Sequence, residues 1–304
     1  MELCKKWSVQ MKNNISGGGV MPPVLDPLDP SAFYVSDGWH SYYSSMRLRR
    51  LSLETGEELA NVLTRDCTRC IHVEEDRLFA VLNKRILELN RRDLSVRRTY
   101  KKGVPQSMDY VRYNGADKLL MMNWMGGFLN VFDLNTETVR KKKVDTCCGI
   151  WKEKGNSFLL LNGDAILRYD LCGNKLKKLA DTEPCSKGWL GPSGRLYLLC
   201  KGPVEEGEVS SKMIIYPSAA GGTPRETIPG ELVQNFALSQ DETRLFLMRD
   251  NCVWLYSIPD EAILFRHEFE GEFAFEDGLY AFRGNILTYR WSEKELTCWE
   301  IKES

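Results

Sequence analysis

Arg77-Leu78-Phe79-Ala80-Val81-Leu82, a short reversal, then Leu87-Glu88-Leu89-Asn90: two brief apolar runs bounded by polar residues read as a β-hairpin. The first run has six counterparts. They are Ala32-Phe33-Tyr34-Val35, Lys118-Leu119-Leu120-Met121-Met122, Ser157-Phe158-Leu159-Leu160-Leu161, Arg195-Leu196-Tyr197-Leu198-Leu199, Arg244-Leu245-Phe246-Leu247-Met248 and Gly278-Leu279-Tyr280-Ala281-Phe282. Anchored at Tyr34, Phe79, Leu120, Leu159, Tyr197, Phe246 and Tyr280, the steps are 45, 41, 39, 38, 49 and 34 residues. The second run recurs too. Anchored at Leu53, Leu89, Leu134, Leu171, Ser218, Ile258 and Trp291, its steps are 36, 45, 37, 47, 40 and 33 residues. Two strand positions thus count the same number of units, at the spacing of four-stranded propeller blades. The expected fold is all-β: a single seven-bladed β-propeller with four-stranded antiparallel blades over residues 20–304. Residues 1–19 precede it as an N-terminal strand and a Gly-rich linker.

Within each unit the strands are named a to d. Strand a precedes the first run, as in Arg69-Cys70-Ile71-His72-Val73, Asn235-Phe236-Ala237-Leu238 and Phe273-Ala274-Phe275. Strand b is the first run, and strand c the second. Strand d is polar and basic, as in Arg97-Arg98-Thr99, Arg140-Lys141-Lys142-Lys143 and Lys175-Leu176-Lys177-Lys178, which suits an outer edge. Residues 201–212 read as an enlarged b–c loop. Trp7, Val9 and Met11 alternate with polar residues, so residues 5–11 are expected to add a strand to the last blade near Thr297-Cys298-Trp299-Glu300-Ile301. Because that blade is already complete in the sequence, this strand can stand outside its strand d.

The 304 residues carry 41 Lys and Arg against 42 Asp and Glu, so no global field draws the chain to nucleic acid or membrane. Residues 1–150 are net positive and the remainder net negative. Ten cysteines sit mostly inside strand-like runs, where they act as small hydrophobes. The N-terminal residues lack the apolar stretch of a signal peptide, and no run reaches the length of a membrane span. A cytoplasmic, reducing setting with free thiols is the expectation.

Phe132-Asp133-Leu134-Asn135-Thr136 and Leu51-Ser52-Leu53-Glu54-Thr55-Gly56 resemble the repeat endings of the broad superfamily of WD40-like, YVTN-type and quinoprotein-like propellers. The resemblance covers residues 20–304 and is one of repeat grammar. The Trp-Asp and Gly-His pairs of WD40 repeats and the tryptophan docking of quinone enzymes are missing. The resemblance implies a rigid platform for another macromolecule.

Loops following strands b and d are expected to gather at a channel mouth. There Asp37-Gly38-Trp39-His40-Ser41-Tyr42-Tyr43 combines aromatics, an imidazole and a carboxylate, a composition suited to protein contact. The candidate partner-binding residues are Trp39, His40, Tyr42, Tyr43, Trp124, Asp164, Arg249 and Arg283. A second candidate surface is a basic belt of Arg47, Arg49, Arg50, Arg91, Arg92, Arg97, Arg98, Lys101, Lys102 and Arg140 to Lys143. Exposed basic edge strands also serve to prevent sheet-to-sheet aggregation, and the belt lacks the interleaved aromatics of single-strand nucleic-acid binders. Three histidines without ligand spacing and one Cys67-Thr68-Arg69-Cys70 pair make no metal site or nucleophile. No catalytic residue, metal or cofactor is therefore assigned. The expected role is non-catalytic binding of a protein by a monomeric, membrane-free chain, and neutralisation of a dedicated partner is its specific form. The alternative is a metal-dependent hydrolase of the lactonase type, with Asp109, Asn235 and Glu276 converging in the channel.

Overall fold

The structure is a computed structural model. It describes residues 1–15, 22–38, 45–74, 76–123, 126–144, 149–153, 157–205, 208–218, 222–231, 233–274 and 276–302, with the side chains of 186, 201–205, 208–211 and 226–231 set aside. These residues form seven four-stranded antiparallel sheets and no helix, the arrangement of a seven-bladed β-propeller.

The chain opens with β1 (Glu2–Gln10). Blade 1 is β2 (Val24–Leu25), β3 (Ala32–Asp37), β4 (Arg47–Ser52) and β5 (Glu58–Leu63). Blade 2 is β6 (Thr68–Glu74), β7 (Arg77–Leu82), β8 (Ile86–Leu89) and β9 (Val96–Tyr100). Blade 3 is β10 (Tyr110–Tyr113), β11 (Lys118–Met122), β12 (Gly127–Asp133) and β13 (Thr138–Val144). Blade 4 is β14 (Gly149–Lys152), β15 (Ser157–Leu161), β16 (Ala165–Asp170) and β17 (Lys175–Asp181). Blade 5 is β18 (Cys185–Leu190), β19 (Leu196–Glu205), β20 (Glu208–Tyr216) and β21 (Arg225–Glu231). Blade 6 is β22 (Asn235–Leu238), β23 (Arg244–Arg249), β24 (Cys252–Ser257) and β25 (Ala262–Glu268), and blade 7 ends the chain with β26 (Gly278–Phe282), β27 (Asn285–Arg290) and β28 (Glu295–Lys302).

Two compact units divide these blades: residues 1–101 with 234–304, and residues 102–233. In the first, apolar clusters lie between blades 6 and 7, 7 and 1, and 1 and 2. In the second they lie between blades 3 and 4, and 4 and 5. A central strand packed on both faces needs an unbroken apolar run, which is why Leu78 to Leu82 are all fully buried. The outer strands β9 and β17 face water and are mostly polar.

The signature at the end of strand c has a chemical explanation. Its last polar residue caps the turn into strand d. Asp133 Oδ1 accepts the N–H groups of Asn135 at 3.0 Å and Thr136 at 2.9 Å. Asp170 does the same for Cys172 and Asn174, and Ser52 Oγ for Glu54 and Thr55. These are Asx- and Ser/Thr-turns, which favour a left-handed residue in the reversal. The hydrogen bond from Thr136 N–H, with lesser contributions beside it, holds the Asp133 carboxyl below the usual carboxylate range. The next apolar residue anchors the turn to its own blade: Leu53 N donates to Ser31 O at 2.7 Å, Leu134 N to Asp117 O at 2.8 Å and Ile258 N to Thr243 O at 2.9 Å.

The N-terminal strand does pair with the last blade. β1 runs antiparallel to β28, from Glu2↔Lys302 to Gln10↔Glu295. It is the fourth, outer strand of the blade β26-β27-β28-β1, so the blade is not complete without it and β1 is no extra strand. Trp7 leaves it to enter the seam between blades 7 and 1. Its ring stacks on Phe33 with centroids 6.2 Å apart, and its Nε1 donates to Leu53 O at 3.0 Å. Gly56 passes beneath this ring; a Cβ there would sit 2.8 Å from the indole, and φ is +75°. Met11 and Ile15 continue down the same seam, where Tyr289 Oη donates to Asn14 Oδ1 at 2.7 Å.

Two expectations are corrected. Phe273 and Ala274 do not form an inner strand in blade 7. Instead the buried Asp277 carboxylate collects Ala274 N at 2.9 Å, Trp291 N at 2.7 Å and Arg290 Nη1 at 3.3 Å, which curls the segment into a turn. Residues 201–212 are not an irregular loop either. β19 and β20 extend into a long hairpin with Val204↔Val209 and Glu205↔Glu208 in register.

Trp7→Ala is expected to destabilise the protein by roughly 3–5 kcal/mol in denaturant unfolding. Lys5→Ala, which removes only an exposed pair to Glu295, is expected to cost less than about 1 kcal/mol. Equal effects of the two changes would mean that the indole does not hold the seam. A second expectation concerns Lys187 on β18, whose ammonium burial pushes down to about 8 from the ordinary 10.5. The unfolded chain binds the extra proton between those values, so this residue makes stability rise as pH rises from about 8 to 10.5. Burial pushes the Cys298 thiol up to about 12, which contributes the opposite slope above pH 9. The difference in stability between wild type and Lys187→Met, measured across this range, isolates the lysine. A flat difference would refute the assignment.

Candidate functional site

Three of the residues expected at the b–c turns are described, and Trp39, His40, Tyr42, Tyr43 and Trp124 lie outside the described residues. Asp164 is exposed in the b–c turn of blade 4, in the unit of residues 102–233, and its carbonyl accepts Thr182 N at 2.7 Å. Arg249 ends β23 at the b–c turn of blade 6, and Phe273 and Asp277, which precede β26, meet Asp250 and Asn235 on that side. Arg283 follows β26, the inner strand of blade 7, and so stands on the opposite side; both residues are in the unit of residues 1–101 with 234–304. Arg283 and Gly284 form a two-residue hairpin loop with φ of 47° and 79°. Positive φ at both central positions matches the twist of the flanking strands, so the loop is rigid and Arg283 stands exposed on it. Arg249 is fixed differently. Its Nε donates to Asp250 Oδ2 at 3.1 Å, and its guanidinium lies 5.5 Å from the centre of the Trp254 ring. Arg266 covers the same indole at 4.0 Å, as cross-strand register partner of Trp254. The sequence reading missed Trp254, although the alternation along β24 and β25 pairs it with Arg266.

Asp37 proves not to be a surface carboxylate. It is buried, and its Oδ1 accepts Asn13 N at 2.6 Å while Arg49 Nη1 lies 3.5 Å from Oδ2. It ties the N-terminal segment to blade 1 and is not available to a partner.

The basic belt is also partly dismantled. Arg49 donates to Glu58 Oε2 at 2.6 Å, and Arg98 lies over the Tyr100 ring at 4.5 Å. Arg50 and Arg91 turn inward to a built cluster on the side of blades 1 and 2 that carries the a–b and c–d turns. At its centre is Asp26, fully buried. Asp26 Oδ1 accepts Arg91 Nη1 at 3.0 Å and Leu28 N at 3.1 Å, and Oδ2 accepts Tyr34 Oη at 2.7 Å. Burial, then the bond to Asp26, push the Tyr34 hydroxyl well above its ordinary range. Arg50 Nη2 donates to Asp29 Oδ2 and lies 3.9 Å from Asp26. Asp29 is held below the usual carboxylate range, first by the Ser31 hydroxyl at 2.6 Å and also by Arg50. These residues, with Leu28 and Arg92, line an open cleft of about 290 Å³. Nothing in the sequence spacing brought Asp26 to Arg91; the link is made by packing blade 1 on blade 2.

Among the described residues no three His, Cys, Asp or Glu are gathered as a metal site. Asn235 is buried, with its amide 3.5 Å from Asp277 O, whereas Glu276 is exposed. Burial, chiefly by desolvation, raises the Cys67 thiol, the opposite of what activates a thiolate. All described cysteines are free, including Cys185 and Cys200, which are register partners on β18 and β19.

No known protein family matches the sequence, and no curated protein matches it either. The fold is similar to BamB from Moraxella catarrhalis, with TM-score 0.57 and 11% identity over 98% of this chain and 100% of that one. It is also similar to the β-propeller domain of Cps50 (Swd1) from Myceliophteria thermophila, with TM-score 0.72 and 8% identity over 99% of this chain and 100% of that one. At these identities the likeness is one of fold.

Proposed function

We propose that the protein is a non-catalytic recognition module that binds another protein through the side of its blades carrying the b–c turns. A dedicated partner that it neutralises is the specific form of this reading, in a cytoplasmic, reducing setting. The observation that carries it is the pre-set presentation of Arg249, which is clipped by Asp250 and the Trp254 ring. Side chains fixed before binding lose little entropy on association, and arginine beside tryptophan is the composition of interface hot spots. The free thiols support the compartment. Trp39, His40, Tyr42 and Tyr43 belong to the proposed surface by their sequence position on the loop after strand b of blade 1, and Trp124 holds the corresponding sequence position in blade 3.

The test is affinity capture with the full chain, followed by titration of the partner it retains. A single stoichiometric protein is expected. The change Arg249→Glu should weaken it at least about tenfold, equivalent to about 1.4 kcal/mol. Trp39→Ala with Tyr43→Ala should do the same, without lowering the thermal midpoint. Neutralising Arg140 to Lys143 should leave binding unchanged. Salt-steep binding to nucleic acid, or metal-dependent lactone hydrolysis, would replace this reading by another.

A further inference from the structure

We infer that the cleft formed by Asp26, Leu28, Asp29, Arg50, Arg91 and Arg92 is a docking pocket for a side-chain carboxylate carried by a protein partner. This deepens the protein-binding reading and rests on it for the source of the carboxylate. Its volume of about 290 Å³ suits one side chain rather than a cofactor. Three guanidiniums meet two carboxylates there, leaving a single positive charge. That charge is Arg92, which is exposed and has no side-chain partner among the described residues. A monoanion restores balance. A phosphate dianion would exceed it and be repelled by Asp26 and Asp29.

The second observation is Arg50. Its side chain is only 9% exposed, yet its Nε is buried without an acceptor. A guanidinium matches a carboxylate through two parallel N–H donors, and here Arg50 uses Nη2 alone, toward the half-exposed Asp29. An incoming carboxylate beside Asp29 pairs with Arg92 and with the Nη edge of Arg50, while the buried Nε stays closed to the cleft. Arg91 needs no rearrangement, because Asp26 already orients it at 3.0 Å. Leu28, 62% exposed at the lip, adds an apolar contact. The matching partner segment therefore carries an acidic residue next to an apolar one.

The experiment follows the arginine Nε–H signals of the isotope-labelled full chain by NMR. The probes are the capped tetrapeptide Gly-Leu-Glu-Gly, its glutamine analogue, free glutarate and inorganic phosphate. Saturable shifts of the Arg50 and Arg91 signals are expected with the glutamate peptide. The glutamine analogue should bind at least tenfold more weakly, and glutarate at least threefold more weakly. Arg92→Gln, a surface change, should weaken the peptide at least threefold with the fold intact. Equal binding of the glutamine analogue, or preference for phosphate, overturns the pocket. Glutarate binding as well as the peptide would overturn the protein source and mark a small-acid site. Arg92→Gln without effect would remove the charge argument. Because the pocket lies on the a–b and c–d turns, each of these failures leaves partner capture through Arg249 standing, and loss of that capture leaves the NMR result standing.

Discussion

The seam between blades 7 and 1 depends on one indole. Trp7 belongs to a strand hydrogen-bonded to β28 in blade 7, yet its ring stacks on Phe33 of blade 1 and its N–H bonds the Leu53 carbonyl. One residue therefore joins the two ends of the chain by a ladder, a ring contact and a hydrogen bond. The rest of the N-terminal segment follows this lead. Asn13 reaches Asp37, Asn14 meets Tyr289, and Ile15 is fully buried. Without the clasp, Phe33, Leu51 and Leu53 would lose a covering wall and β28 would present an unpaired edge.

The same segment decides what Arg49 can do. Asp37 takes its backbone donors from Lys12 and Asn13 and its charge partner from Arg49, so the first arginine of the Arg49-Arg50 pair is spent on closure. Arg50, next in the strand, points to the other side of the sheet, where Asp26 and Asp29 receive it. Alternation along β4 thus splits one basic dipeptide between a structural task and a cleft. What reads in sequence as a belt of like charge is, in three dimensions, partly taken up: Arg49, Arg50 and Arg91 pair with carboxylates and Arg98 lies over an aromatic ring.

Repeat period and strand order were legible because they rest on local alternation. Tyr34, Phe79, Leu120, Leu159, Tyr197 and Phe246 fall in the second strand of their blades, whereas Tyr280 falls in the inner strand of blade 7, whose outer strand is β1. The c-strand endings were legible because a turn needs Asp, Asn or Ser at a fixed offset, as Asp133 and Asp170 demonstrate. The outer position of β1 was visible in the alternation of Trp7 and Val9. Blade 7 misled for a physical reason: Phe273 and Ala274 have strand composition, but Asp277 supplies hydrogen bonds that compete with a ladder. The long β19–β20 hairpin hid behind glutamates that strand propensity disfavours. Asp26 was invisible as a site residue because its partners lie 8, 24 and 65 positions away and meet only when two sheets pack.

That last point bears on how a propeller of this kind acquires function. Strands repeat because each must bury the same two faces, so the core carries little individuality. Individuality enters at turns, where a side chain that leaves the sheet meets a neighbour from the next blade. Asp26 leaves the a–b turn of blade 1 and meets Arg91 from the c–d turn of blade 2. Asp26 is fully buried, so neither blade can shift without parting a buried carboxylate from its guanidinium partners. The network therefore couples the register of two blades to the geometry of the cleft above them. A cleft whose donors are set by folding presents the same arrangement to every partner. Selectivity then resides in which anion completes the charge, and affinity owes little to induced reordering.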